Sequence, residues 1–333
     1  VRESRLLANP QLEHTIHSPL DFHGVGLHSG ANVTMRLVPA PAGSGIVFRR
    51  SDLDNFEIPA TGRNVARVSY ATSLMRQGVL IQTTEHLLSA LIGLGVDNII
   101  VEVDNLEVPI LDGSSLPYVS AILATGLKRQ RRKREYLRIL KPVEVREHSP
   151  CGEKFIGVYP FAETGPAEGY SIHYSIDFPE PIGRDTFTGD LEAGAYANLI
   201  APARTFGFKE DEAMLRDMGL IRGVSDDSAI IVTRSTPSQT GTILNGPLRF
   251  PDEFVRHKVL DLIGDLALAG HRIWGRVVAE RAGHAMHTAL VQKLLHDRSA
   301  WELTHRCEPV PAEDPAPKST TQDSSVPLAL QHV

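Results

Sequence analysis

The stretch Asp252-Glu253-Phe254-Val255-Arg256-His257-Lys258-Val259-Leu260-Asp261-Leu262-Ile263-Gly264-Asp265 decides how this chain is read. As a helix it sets His257, Asp261 and Asp265 at i, i+4 and i+8 on one face. Phe254, Val259, Leu260, Leu262 and Ile263 fill much of the remaining surface. An imidazole and a carboxylate one turn apart can grip one divalent cation, and a third ligand completes a catalytic zinc site with a position open to water. Thr83-Thr84-Glu85-His86-Leu87-Leu88 offers that ligand in His86. The alternative for His257 and Asp261 is an exposed i,i+4 ion pair, worth only ~0.3–0.5 kcal/mol. The apolar residues around the pair weigh against an exposed face. The leading reading is a metal-dependent hydrolase.

Outward from this helix, the same order of elements occurs twice. In the first half, Thr83 or Thr84 caps a helix running to about Leu94, with Leu87, Leu88, Leu91 and Leu94 on its apolar side. Gly95 ends it, residues 98–104 read as a strand, and a short helix spans about 115–125. Asn32 to Val38 alternates polar and apolar residues, as a half-buried strand does. In the second half, Tyr170, Ile172, Tyr174, Ile176 and Phe178 alternate with Ser171, His173, Ser175 and Asp177. A helix at about 252–269, a strand at about 272–280 and a helix at about 284–297 follow. The expected fold is therefore α+β: two similar domains, each a mainly antiparallel sheet packed against two helices. The boundaries read as an N-terminal domain at 1–127, a basic linker at 128–137, a C-terminal domain at 138–306 and a disordered tail at 307–333. The block Lys128-Arg129-Gln130-Arg131-Arg132-Lys133-Arg134 invites a nucleic-acid or phosphate reading, but a solvated linker is the better one. The tail is rich in Pro, Glu, Asp, Ser and Thr and cannot bury much apolar surface.

Composition narrows the class. With 42% hydrophobic and 22% charged residues, the 333-residue chain has the make-up of an ordinary globular protein. A formal net charge of -6 argues against general nucleic-acid binding. The 2 cysteines, Cys151 and Cys307, are far apart, which fits a reducing compartment and excludes a thiolate zinc cluster. Imidazole, supplied by 14 histidines, is left as the expected metal ligand. No apolar run is long enough to span a bilayer, and no h-region follows Val1-Arg2-Glu3-Ser4-Arg5, so a cytoplasmic location is expected.

Four further segments bear on chemistry. Glu85 and His86 open a predicted helix, where positive potential disfavours protonating His86 and so suits it to a metal. Neighbouring helical residues diverge by roughly 100°, so Glu85 would point beside the ion and serve as general base. The alternative is a first-turn acid beside a partly buried histidine. Asp265 is placed to hydrogen-bond and orient a histidine. His284, in Gly283-His284-Ala285, is a candidate general acid that Asp265 would hold protonated, although an incidental loop histidine is the plainer reading. In Arg204-Thr205-Phe206-Gly207-Phe208, Thr205 can donate to a developing oxyanion, while Phe206 and Phe208 can pack on a ring or acyl chain. The alternative is a strand edge whose aromatics belong to the core. Gly24-Val25-Gly26-Leu27-His28-Ser29-Gly30 is not a dinucleotide loop, since its third glycine comes one place late and a strand follows.

Taken together, these segments resemble the UDP-3-O-acyl-N-acetylglucosamine deacetylases, the zinc enzymes of the committed step of lipid A synthesis. The match runs in order through Gly24 to Gly30, Thr84-Glu85-His86-Leu87-Leu88, Pro109-Ile110-Leu111-Asp112-Gly113-Ser114, Ala203 to Phe208, Phe250 to Asp265 and Ala282-Gly283-His284-Ala285. It covers about residues 14–297. The resemblance implies Zn2+ (or Fe2+) on His86, His257 and Asp261, Glu85 as base, His284 as acid and Asp265 orienting His284. Thr205 would help polarise the acetamide carbonyl. Lys258 would meet the polar head of the substrate, with Phe206, Phe208 and Arg281 as further substrate contacts. It likewise implies two similar domains with the site at their interface, an acylated UDP-N-acetylglucosamine as small-molecule partner, a monomer, and the cytoplasm of a Gram-negative-type bacterium. Arg281 stands where the family usually has lysine, and His287 where asparagine is common. Arg222-Gly223-Val224-Ser225-Asp226-Asp227 replaces a more glycine-rich turn, and Gly246-Pro247-Leu248-Arg249 adds a proline. None of these removes a ligand, the acid or the base. Rival readings are a zinc amidohydrolase acting on another N-acetylated sugar and a non-catalytic nucleotide-sugar-binding protein.

Overall fold

A computed structural model describes residues 9–66, 70–149, 152–161, 170–191 and 193–305. The first half contains β1 (Leu12–Ile16), β2 (Leu20–Val25), β3 (Asn32–Pro39), β4 (Ile46–Arg50), β5 (Phe56–Pro59), β6 (Leu74–Arg76), β7 (Val79–Ile81), α1 (Glu85–Leu94), β8 (Ile99–Val103) and α2 (Leu116–Thr125). There follow β9 (Leu127–Lys133), β10 (Glu135–Ile139), β11 (Val143–Ser149), β12 (Gly152–Tyr159), β13 (Tyr170–Asp177), β14 (Arg184–Asp190), α3 (Ala193–Leu199), β15 (Phe206–Phe208), α4 (Glu212–Asp217) and β16 (Ile230–Val232). The last elements are α5 (Glu253–Leu266), β17 (Arg272–Glu280), α6 (His284–His296) and β18 (Trp301–His305).

The expected duplication is visible in the sheets. One has the order β2-β3-β8-β4-β5, and the other β11-β12-β17-β10-β18 with β13 and β14 attached through β17. In each, the strand between two helices is the central one: β8 between α1 and α2, β17 between α5 and α6. β8 is antiparallel to β3 and parallel to β4, and β17 is antiparallel to β12 and parallel to β10 and β13. Most other pairings are antiparallel, so the α+β reading holds.

The helices lie where their apolar periodicity puts them. Leu87, Leu88, Leu91 and Leu94 of α1 are buried, and Gly95 closes the helix at φ 89°, a left-handed value that glycine adopts without a Cβ penalty. Thr84 occupies the N-cap position, but its hydroxyl bonds the Thr72 carbonyl at 3.2 Å rather than capping. α5 ends at Leu266, and a 3-10 turn carries it to Ala269. α1 packs chiefly on α5, which also receives α6.

One expectation is corrected. The basic block at 128–134 is not a free solvated linker, because residues 127–133 form β9, paired antiparallel with β1. Pairing occupies the backbone of the stretch, while most of its side chains, Leu127 and Gln130 apart, stay exposed. Gln130 bonds Asn98 and the Ala40 carbonyl at 2.8 Å each, and Arg134, just beyond β9, is buried against Asp97 at 2.6 Å. The tail at 307–333 lies outside the described residues.

Candidate metal centre and active site

The functional side chains come from the first turn of α1, one face of α5 and the first residue of α6. α5 is buried on nearly all sides, so His257, Asp261 and Asp265 are at most 2% exposed. An exposed ion pair is thereby excluded. Buried ionisable groups need partners, and those of α5 find them across the helix interface.

His86, His257 and Asp261 form one cluster, with a ligand atom of each within 4.8 Å of the others. His257 Nε2 is 3.3 Å and His86 Nε2 3.6 Å from Asp261 Oδ1, and the two imidazoles stand edge to face. Tetrahedral ligands at zinc distances of about 2.0–2.2 Å are themselves separated by about 3.3–3.6 Å. The observed spacings match this. Asp261 Oδ1 is buried and makes no hydrogen bond among the described residues, although both imidazole nitrogens face it. His257 Nδ1 lies 3.1 Å from the Ala203 carbonyl, which holds the proton on Nδ1 and leaves the Nε2 lone pair toward the cluster. Burial pushes the His257 imidazole down to about 3 despite the opposing charge of Asp261, so the ring is neutral, as a metal ligand must be. Burial would raise Asp261, but His257, Lys258 and His284 outweigh it and hold the carboxyl well below the usual range. The donor set therefore fits a divalent cation of borderline softness.

Glu85, His284 and Asp265 adjoin the cluster. Glu85 Oε2 accepts the Thr72 N–H at 3.1 Å, while Oε1 lies 3.9 Å from His284 Nε2. Burial raises the Glu85 carboxyl above its ordinary value, against the opposing pull of His284 and His86. His284 turns Nδ1 to Asp265 Oδ2 at 2.8 Å and Nε2 toward Glu85 and, at 3.8 Å, Asp261. Burial alone would depress its pKa, but Asp265, Asp261 and Glu85 prevail and push it up to about 9. A buried carboxylate inclined to take up a proton thus faces an imidazolium inclined to keep one.

The remaining expected residues are placed as follows. Phe206 joins the two parts of the site. Thr205, Phe206 and Phe208 line a cavity of about 400 Å³ together with Leu215, Ile221 and Ile231, a size suited to a small-molecule site. Phe206 also packs edge-on against His257, with ring centroids 6.2 Å apart, so the cavity abuts the cluster. Phe208 lies under the Arg234 guanidinium at 4.1 Å. Lys258 Nζ bonds Asp261 Oδ2 at 2.7 Å and lies 5.9 Å from the Phe206 ring centroid. Arg281 bonds the Glu153 carbonyl and sits 3.8 Å from Asp177, so its guanidinium is engaged with protein groups.

Sequence reading missed several supports. Thr72 donates its N–H to Glu85 and its hydroxyl to Asp265 Oδ1, yet nothing in Tyr70-Ala71-Thr72-Ser73 marks it. Arg204, named only as part of a motif, pairs with the buried Glu253 at 2.9 Å, anchoring the loop that presents the Ala203 carbonyl. His28, noted only as part of a glycine motif, lines the cavity.

Comparison with known proteins gives a consistent answer. The chain matches the family described as UDP-3-O-acyl N-acetylglycosamine deacetylase over residues 13–296. A UDP-3-O-acyl-N-acetylglucosamine deacetylase of Solibacter usitatus (strain Ellin6076) is 49% identical over 293 residues, 88% of this chain and 94% of the relative. The protein of the same name from Idiomarina loihiensis (strain ATCC BAA-735 / DSM 15497 / L2-TR) is 41% identical, covering 87% of this chain and 92% of its own length. That from Myxococcus xanthus (strain DK1622) is 43% identical, covering 87% and 88%.

Proposed function

The chain belongs to the UDP-3-O-acyl N-acetylglycosamine deacetylase family, and from that premise we propose how its residues divide the work. It is an amide hydrolase that removes the acetyl group from the 2-acetamido nitrogen of UDP-3-O-acyl-N-acetylglucosamine, in lipid A biosynthesis. The observation that carries the residue assignment is the buried Asp261 Oδ1, without a hydrogen bond among the described residues and facing two imidazole Nε2 atoms, with Glu85 and His284 beside it. His86, His257 and Asp261 would hold zinc, with iron(II) the alternative ion for the same donors. Bound there, the cation supplies positive charge that polarises an amide carbonyl and lowers the pKa of water toward ~7.

The chain's own residues move the protons. Glu85 takes a proton from the attacking water as the new C–O bond forms at the acetyl carbon. One Glu85 oxygen is tied to the Thr72 N–H, which fixes the carboxylate and leaves Oε1 for this task. His284 gives the Nε2 proton to the sugar nitrogen as the C–N bond breaks, since an unprotonated amide nitrogen is a poor leaving group. Asp265 holds the opposite nitrogen of His284 and balances its charge. Acetate and a free 2-amino sugar leave. Thr205 is assigned to the acetamide oxygen, Lys258 to the polar head of the substrate, and the cavity walled by Phe206 and Phe208 to its acyl chain; Arg281, engaged with Glu153 and Asp177, is not assigned a substrate contact.

The division into residues 1–127 and 138–306, with 128–137 between them, belongs to the same proposal. It is supported by the two sheets: every strand of the first precedes residue 128, and the second begins with β10 at Glu135, inside that stretch. A cytoplasmic monomer is proposed likewise; among the described residues no helix is long and apolar enough to cross a membrane. The test is acetate release from UDP-3-O-(3-hydroxyacyl)-N-acetylglucosamine by zinc-loaded protein. Release that chelation abolishes and substoichiometric zinc restores supports the reading. No release, with one zinc bound per chain, points to another N-acetylated sugar or a binding role.

A further inference from the structure

Asp265 serves two histidines, not one. Its Oδ2 lies 2.8 Å from His284 Nδ1 and also 2.8 Å from His287 Nδ1, while Oδ1 takes the Thr72 hydroxyl. Asp265 and His287 have no exposed surface. His287 neither belongs to the His86, His257 and Asp261 cluster nor lines the cavity. It touches Asp265 by hydrogen bond and stands edge-on to the His284 ring at 6.0 Å, so it acts on the reaction only through other residues.

His287 is itself held from behind. Its Nε2 is 3.1 Å from the Tyr174 hydroxyl, which also lies 2.8 Å from the Ala282 carbonyl, two residues before His284. One fully buried tyrosine of β13 thus faces both the His287 ring and the turn that begins α6. Burial lowers the His287 pKa, with Asp265 opposing, so the ring is neutral. A neutral ring that donates Nδ1–H to Asp265 leaves Nε2 as an acceptor, and the single Tyr174 hydroxyl proton is shared between that nitrogen and the Ala282 carbonyl.

The consequence is rotational. The terminal torsion of an aspartate is broad and nearly two-fold, so a carboxylate held by few donors swings. His284 and Thr72 give Asp265 one partner on each oxygen, and His287 adds a second on Oδ2 from a different direction, which narrows the torsion further. We infer that His287 is a positioning residue for the deacetylation: braced by Tyr174, it locks Asp265 in the orientation that aims His284 Nε2 at Glu85. This rests on the function proposed above and adds a residue to it.

The test compares H287L, which removes both nitrogens, with H287N, whose side-chain amide can still donate to Asp265 from nearly the same place. H287L is expected to lose about 10–100-fold in kcat, the usual cost of removing a group that orients a reacting histidine. Its KM and its zinc content stay at wild-type values, and H287N recovers most of the lost rate. A merely space-filling His287 predicts neither the split between kcat and KM nor rescue by the smaller amide. Wild-type kcat in H287L, or an H287N as slow as H287L, overturns the inference. Should H287L fail to fold, Y174F carries the test: a lowered kcat at unchanged KM supports the brace, and an unchanged kcat overturns it. Absence of acetate release by the wild type overturns the functional reading and this role with it. Release by the wild type with an unaffected H287L overturns the role of His287 alone.

Discussion

The backbone of Gly264 lies so close to Glu85 that a Cβ added there would stand 2.0 Å from the Glu85 carbonyl oxygen. α5 crosses the first turn of α1 with no side chain between them, and that contact brings His86 within reach of His257 and Asp261. Helix propensity alone makes Gly264→Ala favourable by roughly 0.5–1 kcal/mol. The backbone clash decides otherwise, because overpacking that cannot relax costs about 1–3 kcal/mol. Gly264→Ala should therefore lower the denaturation midpoint and weaken zinc binding together. Stabilisation with unchanged metal affinity would refute the contact.

Zinc content should follow the donor set. Wild-type protein is expected to hold one zinc per chain after dialysis, and Asp261→Ala to hold none stoichiometrically, because it removes the one anionic donor of the cluster. Elemental analysis of the two proteins checks this. Equal zinc in both would mean that the ion sits elsewhere.

The rate of the zinc enzyme should be bell-shaped in pH. In the proposed mechanism Glu85 acts ionised, so activity should fall as pH drops through its titration; burial raises its pKa and a bound cation beside it lowers it. In the same proposal His284 acts protonated; its carboxylate neighbours overcome burial and hold it up to about 9, so activity should fall as pH rises through that region. Asp265→Asn removes the nearest negative charge and should move the basic limb to lower pH. A limb that stays in place would assign it to another group.

Stability should depend on pH through His14, far along the chain from the α5 cluster. Burial and the nearby Arg134 guanidinium push this imidazole down to about 4, against the pull of Asp97. A histidine with a folded pKa below its unfolded value, near 6.5, favours the fold while neutral. That contribution is complete above pH 6.5 and is lost as pH falls from there toward 4, where the unfolded chain binds the proton first. Denaturant unfolding at pH 7 and pH 5 should show a larger loss for wild type than for His14→Gln. Equal losses would contradict the assignment.

The parts legible in the sequence were those with a periodic signal. The leucines of α1, the alternation of β13 and the His–Asp spacing of α5 each repeat at the period of their element, so helix, strand and the clustering face of α5 could be read directly. β9 was not legible because a run of cations resembles a solvated segment until its partners are known. Those partners, Asn98, Asp97 and β1, lie dozens of residues away in the chain. Thr72 and His287 carry no local pattern either. Their importance comes from where Asp265 ends up in three dimensions.

The most direct test of the account compares Glu85→Gln with wild type, both loaded with one zinc per chain, on the same acylated UDP-N-acetylglucosamine. Losing a general base typically costs about 10²–10⁴-fold. Glutamine keeps the size of the side chain and cannot take the proton from water. The account predicts a fall in kcat of that order with zinc content and KM retained. Full activity in metal-loaded Glu85→Gln would contradict it.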